Sequence, residues 1–589
     1  MRASQTKSGL TVRVIAGTYN VIIGIDLQEN KRKGCLGFSI ERSDLGPANG
    51  NGNGNRKKAN EKPAKRWLPN MITFPSVKAD GPITTEASPL QKFRWGDYTL
   101  EPASRYRFRV IPRYGKPGSL ASRPELAEGV EVEVTTEDPF NAETYVHFNR
   151  AAAASRAFEV EFPSITSEAL LQGETKQAKA ARAWLSRGIE EACLAFMDQA
   201  RDSSFALHAA IYEFQKPNLL EKLGEVAGRG AQVQVAYHHR VKDEKDHTAS
   251  KNDAAIKAAK IGNLVKERKA APQSAIMHNK FVVLLKREGH GGEYKPFAVW
   301  TGSMNWTDGG VYGQLNVGHA VFDPVVASDY EQYFQLLHAD SDAATMKRSL
   351  AHLTPVSLVL PDEHNVVPIF SPQSEDTMLR LYAMLCERAK CLMVSAPFAL
   401  SGIILETLSK KSEGVLRYLL LDKEASLGKG EDVHLVEGDQ NNSVSVAVTL
   451  KSPLHDFQGK VLEGKHESFV HPGIHIHSKI ILIDPLGSDP IVITGSANFS
   501  RNSTEVNDSN TIVLRGHTAV ADIYVTEFMR MFEHYHFRAK EAAKAKKAGG
   551  KGNKNGNVIV LAEDDSWSDE YYVSGSTSEH DRRLFAGTH

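Results

Sequence analysis

The chain has 589 residues, 41% of them hydrophobic and 24% charged, the profile of a folded globular protein of about three or four domains. Lysine plus arginine equals aspartate plus glutamate at 71 each, and the resulting zero net charge argues against a dedicated nucleic-acid binder. The four cysteines, Cys35, Cys193, Cys386 and Cys391, have neither disulfide-framework nor zinc-finger spacing and read as reduced thiols, and no stretch is apolar enough for a signal peptide or membrane span; the expected location is cytoplasmic, with any membrane contact peripheral.

Residues 1–140 read as an all-β module. LTVRVIAG, NVIIGIDL, SRYRFRVIP and VEVEVTTE alternate apolar and polar residues with period two, the pattern of sheets with one buried face. The module resembles a fibronectin type III sandwich in the stretch WGDYTLEPASRYRFRVIPRYGKPG. Within it, residues 46–66 (GPANGNGNGNRKKANEKPAKR) read as a disordered, basic loop.

From 150 to 540 the pattern turns to helices alternating with apolar strands, in two units spanning 150–350 and 360–540. KAARAWLSRGIEEACLAFMDQA reads as one amphipathic helix, and VQVAYHH, KFVVLL and FAVWTGS as strands. The same order returns in DTMLRLYAMLCERAKCLMV, VLRYLLLD, SKIILID and PIVITGS, an internal duplication. Residues 541–589 read as a basic, glycine-rich linker and a tail with a short strand signal at VIVL, expected to pack on the body.

Two segments carry the chemistry. IMHNKFVVLLK is followed by VWTGSMNWTDGG, and HIHSKIILIDP by IVITGSANFSRNS. Each places His-x-Lys at the mouth of an apolar strand and Gly-Ser-x-Asn at the end of the next. A single HxK carries no weight; the ordered set occurring twice does. Phosphodiester cleavage without a metal needs cations on the phosphoryl oxygens, an in-line nucleophile and an acid for the leaving oxygen. Lys280 and Lys479 supply the cations. His278 and His477 supply nucleophile and acid, because imidazole titrates near neutral pH. Ser303, Asn305, Ser496 and Asn498 are candidates for hydrogen bonds to the phosphoryl oxygens. Each unit holds half of such a site.

At these residues the chain resembles the phospholipase D superfamily, of bacterial type, whose signature is HxKxxxxD followed by GSxN, present twice. The resemblance covers 150–540. It implies two similar α/β halves related by a pseudo-twofold axis, one site at their junction, a phosphohistidine intermediate, and neither metal nor cofactor. The second motif matches throughout, from His477, Lys479 and Asp484 to Gly495, Ser496 and Asn498; the first has Leu285 at the aspartate position. Tyrosyl-DNA phosphodiesterases of the superfamily also lack that aspartate, which points to a strand-end role for Asp484. Nucleases of the superfamily carry a glutamate beyond GSxN that orients a catalytic histidine. Ser509 stands there in the second half and Gln314 or Asn316 in the first, with Glu505 or Asp508 as substitutes.

The expected function is hydrolysis of phospholipid headgroups. The alternatives are a nuclease of the same mechanism and a non-catalytic binding protein on the same scaffold. With both motifs in one chain, a monomer suffices for one site.

Overall fold

The computed structural model describes all residues except 49–63, 71, 79–80, 152–157, 159, 164, 242–245, 271, 273, 290, 411–413, 423–441, 447–453, 456–460, 463–475, 548–559 and 589; at 442–446, 454–455, 461–462 and 537–547 it describes the backbone alone.

The N-terminal module is a sandwich of antiparallel sheets. One sheet has the order β1 (Arg2–Lys7), β2 (Leu10–Ala16), β3 (Val21–Leu27), β6 (Arg94–Asp97). The other runs β5 (Ala64–Trp67), β4 (Gly37–Pro47), β7 (Ser104–Lys116), β8 (Ser119–Ala121), with β9 (Val130–Thr135) also on β7. Period-two alternation places Leu10, Val12 and Val14 opposite Phe38, Phe108 and Val132 in one core. The four strands expected from sequence appear as β2, β3, β7 and β9. The polar β1 escapes a hydrophobic-pattern reading because its partner β2, not its own side chains, holds it in place. The 46–66 segment is shorter as a loop than expected: β4 runs through Pro47, and Lys65 and Arg66 lie in β5, paired with Ser43 and Arg42. Its middle, 49–63, lies outside the described residues.

Two mixed sheets follow, seven strands each, with identical topology. The first has the order β10-β16-β15-β14-β11-β12-β13, built from Val146–Phe148, Val317–Val321, Lys295–Gly302, Lys280–Lys286, Phe205–Ile211, Gln232–His238 and Val265–Arg268. The second has the order β17-β25-β24-β23-β18-β19-β20, from Val366–Ser371, Ser509–Arg515, Ile491–Gly495, Ile480–Ile483, Cys391–Ala396, Leu416–Leu421 and Asn442–Val446. In each, the first five strands pair antiparallel and the last three are mutually parallel. A small hairpin of β21 (Leu454–His455) and β22 (Val461–Leu462) precedes β23.

The helices that matter here are α1 (Lys176–Ser186), α2 (Ile189–Met197), α3 (Thr248–Ala259), α4 (Pro324–His338), α5 (Thr518–Lys547) and α6 (Thr577–Ala586). Because both faces of each sheet are covered, their central strands are apolar throughout. Phe281 and Val283 of β14 and Ile480 and Leu482 of β23 enter one shared core that includes α4 and α5. The alternate residues, Val282 and Leu284 or Ile481 and Ile483, enter a separate outer core in each half. The two halves are therefore bonded through one hydrophobic interior.

The single helix expected over KAARAWLSRGIEEACLAFMDQA is two. Arg187 and Gly188 take positive φ values of 50° and 92°, ending α1 and starting α2. The tail packs on the body as a 3-10 turn over Asp565–Tyr572 and α6, with Phe585 fully buried against β2, β3 and β19. Its expected strand is absent from the described part of that segment.

Candidate active site

Each HxK segment crosses to the opposite half. Met277 bridges Asp508 and Leu315 bridges Ile476, both parallel, a reciprocal pair that expresses the pseudo-twofold relation. His278 N donates to Asp508 O at 2.7 Å, and His477 N to Leu315 O at 3.1 Å. The rings are held the same way. His278 Nδ1 lies 2.9 Å from Ser496 O; His477 Nδ1 lies 3.1 Å from Ser303 O and 2.9 Å from Asn316 Oδ1. These oxygens only accept, so each Nδ1 carries the proton, and in the neutral ring Nε2 keeps its lone pair. The two rings face each other edge to face, with centroids 6.3 Å apart. Neither half could orient its own histidine.

Lys280 and Lys479 are fully buried, and each donates from Nζ to the carbonyl of its own motif histidine at 2.6 Å. Burial holds both ammonium groups well below the usual lysine range, and Lys280 adds to the effect on Lys479; Glu213 opposes it at both. Burial, followed by the charges on Lys280, Lys479 and His477, likewise drives His278 well below the usual histidine range. Two buried cations offset by one carboxylate remain costly, which favours an anionic ligand. Tyr212 closes one wall: its ring is 5.2 Å from that of His278 and 5.1 Å from Lys280 Nζ.

Ser303 and Ser496 depart from the role expected of them. Ser303 Oγ donates to Asn316 Oδ1 at 2.7 Å and accepts from Val317 N at 3.1 Å; Ser496 Oγ accepts from Asn510 N at 3.0 Å and Asn510 Nδ2 at 3.1 Å. Both hydroxyls are committed to strand neighbours, and it is the serine carbonyls that serve the site. Asn305 and Asn498 differ: the side-chain oxygen of each is buried without a hydrogen-bond partner, an acceptor that a donor such as water, and not a phosphoryl oxygen, would complete. Asn305 Nδ2 donates to Glu213 Oε2 at 2.5 Å.

The supporting residues divide. Asn316 does meet His477. Ser509, its counterpart by register, does not meet His278: its Oγ has no partner, and its backbone N accepts the fixed role of donor to Ser371 Oγ at 3.0 Å. Nor do the suggested substitutes reach it. Asp508 pairs with Arg268 at 3.0 Å, and Glu505 caps Asp376 N at 2.7 Å. Asp484 lies at the far end of β23, where Oδ1 accepts from Lys390 N and Cys391 N, both at 2.8 Å, at the start of β18. Leu285 instead fills the shared core. Glu213 and Tyr212 were not singled out from sequence, because IYEFQKP carries no motif; only the pairing of β11 with β14 brings them to the lysines. Among the described residues, His239, Asp253 and Glu267 form a group that could offer a metal three ligand atoms, and it includes no HxK residue.

Residues 194–338 and 402–532 match the family described as cardiolipin synthase, phospholipase D-like domain, one matched region lying in each of the two halves just described. Each half of the chain thus carries a phospholipase D-like domain. No curated protein matches it. Among solved structures, phosphatidylserine synthase of Haemophilus influenzae is 9% identical over 62% of this chain and 92% of its own, with a TM-score of 0.38. Polyphosphate kinase of Porphyromonas gingivalis is 11% identical over 55% of this chain, with a TM-score of 0.37; the match spans 42% of that kinase. Yeast tyrosyl-DNA phosphodiesterase is 11% identical over 55% of this chain and 85% of its own, with a TM-score of 0.29.

Proposed function

We propose that the chain cleaves phosphodiesters, with phospholipid headgroups as substrate, through a covalent phosphohistidine and without a metal. The observation that carries this reading is the pair of histidines, each fixed through Nδ1–H by the opposite half, beside two buried lysines. His278, kept neutral by burial and the neighbouring cations, is the nucleophile. Its Nε2 attacks phosphorus as the bond to the leaving alcohol oxygen breaks, and His477 gives that oxygen a proton. His477 then takes a proton from water, whose oxygen displaces His278. Lys280, Lys479 and the amide nitrogens of the two GSxN asparagines hold the phosphoryl oxygens. The description of the matched family supports a second reading, in which an alcohol replaces water and the headgroup is exchanged.

Headgroup release from phosphatidylglycerol-containing vesicles in excess EDTA tests both. The wild type is expected to release headgroup, and His477→Ala to lose about 100-fold or more of the rate. Formation of cardiolipin or another exchanged lipid, with an alcohol acceptor present, would assign transfer over hydrolysis. Activity abolished by EDTA and restored by a divalent ion would overturn the metal-free chemistry. Absence of release, with cleavage of an oligonucleotide instead, would move the substrate to nucleic acid.

A further inference from the structure

Glu213 brings a carboxylate to this site from the first half. Glu213 follows β11, its Oε2 accepting from Asn305 at 2.5 Å and its backbone oxygen from Trp306 N at 3.1 Å. It acts electrostatically on both lysines. Strand register identifies its counterpart. Ile211 faces Lys280 across β11 and β14; Ser395 faces Ile480 across β18 and β23, so Ala396 stands to Lys479 as Ile211 stands to Lys280. Two residues further on, Glu213 is matched by Phe398, which is 44% exposed. The backbone keeps the pseudo-twofold relation and the charge breaks it.

The consequence rests on reading this pocket as a phosphoryl site. With both histidines neutral, as at mildly alkaline pH, two ammonium groups and one carboxylate sum to a single positive charge, which complements a phosphodiester monoanion. Without the carboxylate, the two lysines would complement a phosphomonoester dianion, the kind of product that headgroup release leaves behind, or inorganic phosphate. Close charges in a buried site interact far more strongly than in water, so one charge more or less decides which anion is held. We propose that Glu213 sets the charge of the ligand this site accepts, matching it to singly charged diesters and disfavouring doubly charged monoesters. It is a specificity-determining residue that acts through Lys280 and Lys479 and bonds nothing in the reaction itself.

Calorimetric binding of dimethyl phosphate, a monoanion, and methyl phosphate, a dianion at mildly alkaline pH, separates the outcomes. In the wild type the dianion should bind no more than about threefold tighter than the monoanion. In E213Q, where glutamine still offers Asn305 an acceptor oxygen, the preference for methyl phosphate should rise about tenfold, or about 1.4 kcal/mol. E213D should return it toward the wild-type ratio. An unchanged ratio in a folded E213Q overturns the inference while leaving the phosphoryl site intact. Should E213Q not fold, the wild-type ratio decides alone, and a dianion preference above about tenfold overturns the inference. Failure of both anions to bind the wild type overturns the phosphoryl-site reading, and this inference with it.

Discussion

At the scale of single residues, the site works by assigning one nitrogen of each histidine to the opposite half. His477 is the better held, by a carbonyl and by Asn316 Oδ1, whereas His278 has Ser496 O alone. Asn316 holds His477 with an amide, and an amide stabilises an imidazolium less than a carboxylate does. Asn316→Asp should therefore let His477 remain a proton donor to higher pH. Activity that needs the protonated ring survives further on the alkaline side, so the alkaline limb of the rate profile should move up by about one pH unit. A limb that stays in place in the variant would remove His477 from the acid role. Asn316 also donates to Gly310 O at 2.8 Å, which aspartate cannot do, so some stability is lost at the same time. The four HxK residues were legible in sequence because their spacing is local. The committed serine hydroxyls were not, because a hydroxyl's partners lie on a neighbouring strand.

At the scale of elements, Asp484 shows what the signature aspartate does here. Its φ of 46° turns the chain out of β23, and its carboxylate caps the amides of Lys390 and Cys391 at the start of β18. Asp484→Ala leaves those amides without their acceptor and should lower unfolding stability by about 2 kcal/mol, read by chemical denaturation, while the folded fraction keeps its rate. A rate loss exceeding the loss of folded protein would return Asp484 to the site. Its role as a strand-end residue was legible, since the first motif does without it at Leu285. The break between α1 and α2 was not. The apolar periodicity runs through it, and only the buried Arg187, whose guanidinium reaches Glu527 at 2.9 Å, accounts for the turn.

At the scale of the whole molecule, the β-module is joined to the α/β body through polar as well as apolar contacts. Ile15 and Ile22, on the outer face of its first sheet, enter the core shared by the two halves, and a Cβ at Gly17 would collide with Thr526 of α5. Beside them, Glu527 accepts from Asn20 at 2.6 Å, Arg187 at 2.9 Å and Arg530 at 2.9 Å, all buried. Arg530 continues to Asn149 O at 3.0 Å, and Asn149 Oδ1 accepts from Asn316 N at 2.9 Å, next to His477. One network thus links the module to the site. Glu527→Ala leaves two arginines buried without their carboxylate and should cost about 3–5 kcal/mol of stability. A loss below about 1 kcal/mol, within the range of an ordinary surface ion pair, would mean that the network is solvated and the module only loosely attached.

The sequence by itself determined the phospholipase D-like class, the duplication, and the β-then-α/β order, because these rest on local spacing and hydrophobic period. It could not say that each half orients the other's histidine, that the motif serines bond their own strands, or that Glu213 bonds Asn305 and acts on both lysines. Those facts depend on strand register and on contacts across about 200 residues of chain, where a side chain's neighbours are set by how the sheets pair and not by what precedes it.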